Sequence, residues 1–247
     1  MATLKENIDL GNLPQHIAVI MDGNGRWAKQ KGAARIFGHR NAIQSVKEIT
    51  EGCAELGIKY LTLYAFSTEN WRRPKEEIDG LMELLVNTIQ KELKTLLDND
   101  VKLKVIGDIS NLPAACQNNL REAMNSTQQN RGLTLQLALS YSGRNEIVKA
   151  VRKIAYQIKA GVIDPDQISE TTVQQNLETA NVPDPELLIR TSGEMRVSNF
   201  LLWQIAYTEF YITPKLWPDF RKEDLYEAIS AYQKRERRFG KVLTPIA

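Results

Sequence analysis

Three short polar stretches hold most of the residues in this chain that could do chemistry. Asp22-Gly23-Asn24-Gly25-Arg26 sets a carboxylate, two glycines, an amide and a guanidinium side by side. Ser67 to Arg73 adds hydroxyls, Glu69, Asn70, Trp71 and Arg73, and Arg190 to Ser198 adds two more arginines, Glu194 and Ser198. Arg35 and His39 follow closely on the first stretch. Arginines, hydroxyls and Gly-opened helix starts in this number suit oxyanions, more than one phosphate among them. The misfit is Asp22. An acid repels phosphate unless a cation lies between them, so the pattern points to a magnesium-bridged diphosphate. Taken alone, the first stretch is equally a tight turn with a solvated Asp and Arg.

Other chemistries find little support. Gly52-Cys-Ala-Glu-Leu-Gly57 has the glycine spacing of a P-loop but lacks the Lys-Ser/Thr that should follow, and the Asp22–Arg26 turn lacks the third glycine of a dinucleotide fingerprint. Two histidines and the scattered Cys53 and Cys116 cannot build the usual zinc centre or a disulfide framework, which fits a reducing compartment. No Gly-x-Ser-x-Gly elbow occurs. A net charge of +2 argues against a dominant nucleic-acid role, and 43% hydrophobic with 25% charged residues is ordinary for a soluble globular chain. The first fifteen residues lack a basic region leading into an apolar one, and no apolar run approaches the ~18 residues of a membrane span. The expectation is a cytoplasmic protein.

The elements that must position the polar stretches are legible from periodicity. Ile17–Met21, Tyr60–Phe66, Leu133–Tyr141 and Leu187–Arg190 are apolar runs that read as buried strands, Val101–Ile106 alternates as a half-exposed or edge strand, and Thr208–Ile212 is a sixth candidate. Helical spacing predicts helices over 39–56, ended by Gly57, over roughly 76–98, over 113–129, after Ser142, near 170–179 and over 222–239, and Phe200–Ala206 also reads as helical. Strands separated by helices imply one α/β domain with a mainly parallel six-stranded sheet covered by helices. In such sheets ligands bind off the carboxyl ends of the strands, where the stretches after the first, second and fifth strands all fall. The helix over 76–98 carries an apolar face wider than docking requires, through Leu81, Leu84 and Leu85 among others. It is either a deeply packed core helix or the wall of an apolar channel.

HIAVIMDGNGRWA, the Phe37-Gly38-His39 after it, LYAFSTENWRRP, ELLIRTSGEMRVSNFLLWQIAYTEFY and RRFG together resemble the cis-prenyltransferases, and within them the bacterial undecaprenyl diphosphate synthases. The resemblance runs from His16 to Gly240 with the motifs in family order. It implies a short N-terminal segment (1–15) ahead of a catalytic domain (16–247) with an apolar product tunnel beside the sheet, working as a homodimer. The implied activity is cis addition of isopentenyl diphosphate to farnesyl diphosphate with Mg²⁺, giving undecaprenyl diphosphate for cell-wall lipid carrier synthesis. A shorter- or longer-chain product is the alternative.

By motif position, Asp22 is implied as the magnesium carboxylate with Glu209 as a second, and Asn70 as the residue aiding proton removal. Gly23, Asn24, Gly25, Arg26, Trp27, Arg35 and His39 would serve the allylic diphosphate, and Ser67, Thr68, Glu69, Trp71 and Arg73 complete the Asn70 loop. Arg190, Arg196, Val197 and Ser198 would serve isopentenyl diphosphate, with Arg238 and Gly240 reaching the partner subunit's site. Met195 stands where many bacterial relatives have histidine, and a thioether is a poor ligand for a hard cation. The wide-faced helix, with Leu133, would line the tunnel. A long prenyl product further implies transient contact with the inner membrane for release, without an anchor. Two rivals are a non-catalytic subunit of this family and a nucleotide- or RNA-binding α/β protein; the intact motifs weaken the first, and the absent fingerprints and near-neutral charge the second.

Overall fold

The computed structural model describes residues 4–237. Six strands, β1 (His16–Ile20), β2 (Tyr60–Ser67), β3 (Lys102–Ile106), β4 (Thr134–Tyr141), β5 (Leu187–Arg190) and β6 (Glu209–Ile212), form one sheet in the order β3-β4-β2-β1-β5-β6. Every adjacent pair is parallel. β1 and β4 are buried along their whole length, including the polar His16, Thr134, Gln136 and Ser140, and the outermost strands β3 and β6 are part-exposed. The α-helices among the described residues are α1 (Asn24–Gln30), α2 (Arg35–Leu56), α3 (Lys75–Asp98), α4 (Ala114–Ser126), α5 (Gly143–Lys159), α6 (Glu170–Asn176) and α7 (Lys222–Gln233).

The larger core lies on the face covered by α2, α3, α4 and α7. A smaller cluster on the opposite face gathers Ala18, Ile20, Ala138, Tyr141, Leu188 and Phe200. Gly57 ends α2 in the left-handed region (φ 79°), as expected from a glycine after the last apolar position. The N-terminal segment is tied to this body: Ile8 is buried, and the Gln233 amide donates to the carbonyls of Asp9 (2.7 Å) and Asn12 (2.9 Å).

Two expectations need correction. Phe200–Ala206 is a succession of turns, not a helix. Ser198, Asn199 and Leu201 have φ of 49°, 62° and 46°, which no right-handed helix accommodates, while Phe200 and Leu201 are drawn into the small cluster. The last helix ends at Gln233 instead of running to 239, and positions beyond 237 lie outside the described residues. α3 buries only Met82, Ile89 and Leu96 completely; Ile78, Leu81, Leu85 and Leu93 are partly buried.

Candidate active site

β1 has β2 on one side and β5 on the other, and the loops leaving these three strands meet off their carboxyl ends. After β1 the chain turns at Gly23 (φ 108°), where a side chain would collide with Leu216, and enters α1 at Asn24. Asp22 is clamped by its backbone. The Thr191 hydroxyl accepts its N–H (2.9 Å) and donates to its carbonyl (2.6 Å), and the N–H of Trp217 donates to the same carbonyl (3.1 Å). The carboxylate faces the cleft, taking a hydrogen bond from Arg190 (2.8 Å) with Arg26 at 3.7 Å. Burial pushes Asp22 toward protonation, and hydrogen bonds from Arg190, Ser192 and the Gly23 N–H more than reverse that. It is therefore a carboxylate at neutral pH.

Arg190 is almost wholly buried and also donates to Ser198 Oγ (2.8 Å) and to the Arg196 carbonyl, holding the loop after β5 closed on itself. Arg26 donates to Ser192 through its carbonyl (3.1 Å) and hydroxyl. Arg196 is exposed and pairs with Glu194 (2.6 Å). Across the cleft Arg35 (3.5 Å) and Arg73 (3.1 Å) share the deeply set Glu77. His39 Nδ1 accepts from the Asn24 amide (3.3 Å). His39 Nε2, Asn24 Oδ1 and Arg190 Nε are buried with no hydrogen-bond partner. Burial, then the charges of Arg73 and Arg35, hold His39 down to about 4, so its ring is neutral and its free nitrogen carries a proton. The two unmet donors among these groups, His39 Nε2–H and Arg190 Nε–H, mark a place prepared for an anion, whereas Asn24 Oδ1 is an acceptor.

In the turn after β2, the Asn70 side-chain Oδ1 accepts the Ser67 N–H (3.0 Å). Thr68 donates to Glu69 (3.2 Å), and Trp71 is held by Ser140 (2.9 Å) against Phe66. Asp22, Asn24, Arg35, His39, Asn70 and Arg73 border a cavity of ≈620 Å³ that runs inward between α2, α3 and the sheet. Its depth is lined by Leu81, Leu84, Leu85, Ile89, Leu135, Leu137 and Leu139. The wide apolar face of α3 thus fronts this space. Leu133 does not border it; it is buried in the core, and Val101 and Leu103 stand at the inner end. A second hollow of ≈590 Å³ lies outside the same turn and is bordered by Arg26, Lys29 and Arg35.

The structure brings most of the expected residues to one cleft, but not all. Trp27 is buried in packing, its indole donating to Asp219 (2.9 Å) and stacking on Phe37. Glu209 opens β6 opposite Leu187, at the amino end of the sheet, and pairs with Arg235 (2.7 Å). In a parallel sheet a residue that starts one strand and a residue that follows another lie at opposite ends, so Asp22 and Glu209 share no ion within one chain. Among the described residues no group of three or more His, Cys, Asp or Glu gathers as a metal cluster. Met195 is 85% exposed and Val197 half-buried. Arg238 and Gly240 lie outside the described residues. Sequence reasoning missed Thr191, Ser192 and Glu77. Glu77 stands in the first turn of α3 four residues after Arg73, which precedes the helix, and nothing local links Thr191 to Asp22.

Residues 20–240 match the family model described as putative undecaprenyl diphosphate synthase. An isoprenyl transferase of Clostridium tetani is 51% identical over 96% of this chain and 93% of its own length. A ditrans,polycis-undecaprenyl-diphosphate synthase of Micrococcus luteus, (2E,6E)-farnesyl-diphosphate specific, is 53% identical over 97% of this chain and 96% of its own. Among solved structures, lavandulyl diphosphate synthase from Lavandula x intermedia, in complex with dimethylallyl diphosphate, superposes with a TM-score of 0.92 at 41% identity, covering 94% of this chain and 100% of that one. A probable undecaprenyl diphosphate synthase from Campylobacter jejuni gives 0.78 at 34% identity, covering 93% and 100%. A cleft of arginines and one ionised carboxylate opening onto a leucine-lined cavity, on a chain this similar throughout, places the protein in the undecaprenyl diphosphate synthase family of cis-prenyltransferases.

Proposed function

We propose that the protein condenses isopentenyl diphosphate in cis onto farnesyl diphosphate, repeatedly, to give a long polyprenyl diphosphate of undecaprenyl length. The observation that carries this reading is that one cavity joins an oxyanion-binding mouth to an apolar interior. The mouth suits a diphosphate and the interior the prenyl chain. The allylic C–O bond breaks with its electron pair going to the diphosphate, the isopentenyl double bond attacks the allylic carbon, and one proton leaves. Arg26, Arg35, the His39 Nε2–H and the first-turn N–H groups of α1 stabilise the charge that grows on the leaving group. Arg190, Arg196 and Ser198 hold the second diphosphate. Because the Asn70 side-chain Oδ1 is engaged by Ser67, its free side-chain group, the Nδ2 amide, is a donor. Asn70 then orients a diphosphate oxygen or water that takes the proton.

An ionised Asp22 at the mouth, with Glu194 reaching the same Arg26 (3.4 Å), fits the way Mg²⁺ is held, by one or two carboxylates with substrate phosphates and water. Magnesium bound there supplies charge neutralisation to the departing diphosphate. Glu209 enters such a site only if a second subunit supplies it. A homodimer is supported by exposed apolar residues on α5 and about the β6 edge, Val148, Val151, Tyr207 and Phe210. No helix among the described residues is long and apolar enough to cross a membrane. Product release at a membrane surface would then be a transient contact by a cytoplasmic enzyme.

Because a lavandulyl diphosphate synthase shares the fold, the fold alone does not set the product. The cavity, ≈620 Å³, falls within the ~300–1,000 Å³ of small-molecule pockets and has the part-buried face of α3 as one wall. Incubation with farnesyl diphosphate, labelled isopentenyl diphosphate and Mg²⁺, with product lengths resolved, tests the reading. Extension by the chain alone is expected, and Leu137→Phe is expected to shorten the product. No extension would leave a non-catalytic subunit as the better description.

A further inference from the structure

The loop after β5 leaves the cleft through three residues of left-handed backbone, Ser198, Asn199 and Leu201. Outside glycine that conformation costs on the order of 1–3 kcal/mol per residue and persists only where the surroundings over-determine it. Asn199 supplies much of that determination. Its carbonyl accepts the Gly143 N–H (2.7 Å) and its side-chain Oδ1 accepts the Arg144 N–H (3.0 Å), two first-turn groups of α5 that lack intrahelical partners. Its side-chain Nδ2 donates to Glu69 (2.9 Å), next to Asn70 in the turn after β2. The fit to α5 is close: a side chain at Gly143 would meet Leu202 at 2.8 Å. On either side of Asn199, Ser198 accepts from Arg190 and Phe200 stacks on Tyr64 of β2 at 4.4 Å. Burial pushes Glu69 up, and the Asn199 amide, with Ser67, Thr68 and Glu69's own N–H, brings it below its usual range, so the contact is charge-assisted.

We propose that Asn199 is a positioning residue that locks the Arg196–Ser198 loop to the Ser67–Arg73 turn, so that the groups for isopentenyl diphosphate and the groups near the departing proton are placed together. Asn199 need not touch substrate. The proposal rests on the proposed function in taking these two loops as substrate loops.

The test compares wild type, Asn199→Asp, Glu69→Gln, the double variant and Arg196→Ala, reading KM for each substrate, kcat and Tm. Asn199→Asp keeps the acceptor for Arg144 but sets two carboxylates face to face. It is expected to raise the KM for isopentenyl diphosphate roughly ten-fold, with the farnesyl diphosphate KM moving by less than about two-fold. Glu69→Gln retains an acceptor for Asn199 and is expected to be mild. In the double variant the amide introduced at position 69 donates to the carboxylate introduced at position 199, and the KM is expected to return to within about three-fold of wild type. Glu69→Ala reaches the same contact without touching the α5 cap and should act in the same direction as Asn199→Asp. A normal KM in Asn199→Asp with Arg196→Ala impaired overturns the proposal, as does a double variant no better than Asn199→Asp. A fall in Tm with unchanged constants would make Asn199 a merely structural cap, which also overturns it. A silent Arg196→Ala removes the substrate-loop reading itself and the proposal with it.

Discussion

The two histidines of the chain stand at opposite ends of one sheet, and both are held near a pKa of 4. At the amino end His16 is completed by the protein. Its Nδ1–H donates to the Pro183 carbonyl (2.6 Å), its Nε2 accepts from Thr62 (2.7 Å), and Gln136 donates to the same hydroxyl (3.1 Å). At the carboxyl end His39 meets the Asn24 amide through one nitrogen, leaves the other unpartnered, and has Arg35 and Arg73 for company. The carboxylates divide in the same way. Glu209 has Arg235 and a surface position, whereas Asp22 is fixed through its backbone with its charged group turned into the cleft. Similar residue types build a closed seam at one end and an unfinished shell at the other. Between the two histidines, what separates scaffold from site is the ring nitrogen that the fold leaves for something else to satisfy.

The largest expected effect comes from removing the carboxylate at the open end. Asp22→Asn should lower turnover by about 10³-fold or more while the protein remains folded, checked by steady-state assay alongside thermal unfolding. Turnover within tenfold of wild type would remove Asp22 from the chemistry. Next is the pH dependence of stability. With the folded His16 near 4 and an unfolded value of 6.5, its contribution is complete above pH 6.5 and falls as pH drops toward 4. The loss reaches about 3 kcal/mol, with His39 adding a second proton over the same window. Urea unfolding at several pH values measures the slope. Added inorganic diphosphate should flatten the His39 share alone, and a slope indifferent to diphosphate would erase the contrast between the two ends.

A third test bends the open end without changing its chemistry. A methyl group on Gly38 would lie 2.0 Å from the Asn24 carbonyl oxygen, so Gly38→Ala must push α1 and its turn away from α2. A displacement of that kind is expected to cost roughly 10²-fold in activity. Unchanged kinetics would mean the turn tolerates more movement than the close contact suggests. The smallest effect belongs to the closed end. Thr62→Val strands His16 Nε2 and the Gln136 amide, lowering stability by about 1–3 kcal/mol with kcat unchanged. A fall in kcat as large as that of Gly38→Ala would show the two ends to be coupled.

Much of this is legible without any coordinates. The buried strands are visible as mainly apolar runs, the end of α2 as Gly57, the edge character of β3 as alternation, and the site edge as three polar loops. Phe200–Ala206 misleads because an apolar run reports burial but not the backbone that achieves it, and left-handed residues at 198, 199 and 201 leave no periodic trace. The C-terminal stretch beyond Arg237 lies outside the described residues, so the Arg238 and Gly240 expectations stay as the motif resemblance implies them.

The sequence by itself determined the alternation of strands and helices, the parallel sheet that follows from it, and the oxyanion-seeking character of the loops. Each of those depends on residues close together in the chain. Only the tertiary structure decided that Arg190 grips Asp22, that Thr191 clamps its backbone, that Trp27 and Trp71 pack against Phe37 and Phe66, and that Glu209 lies at the far end of the sheet from the cleft. Those facts depend on register between strands far apart in the chain. A register is settled by the packing of the whole sheet against its helices, and no local pattern of residue types encodes it.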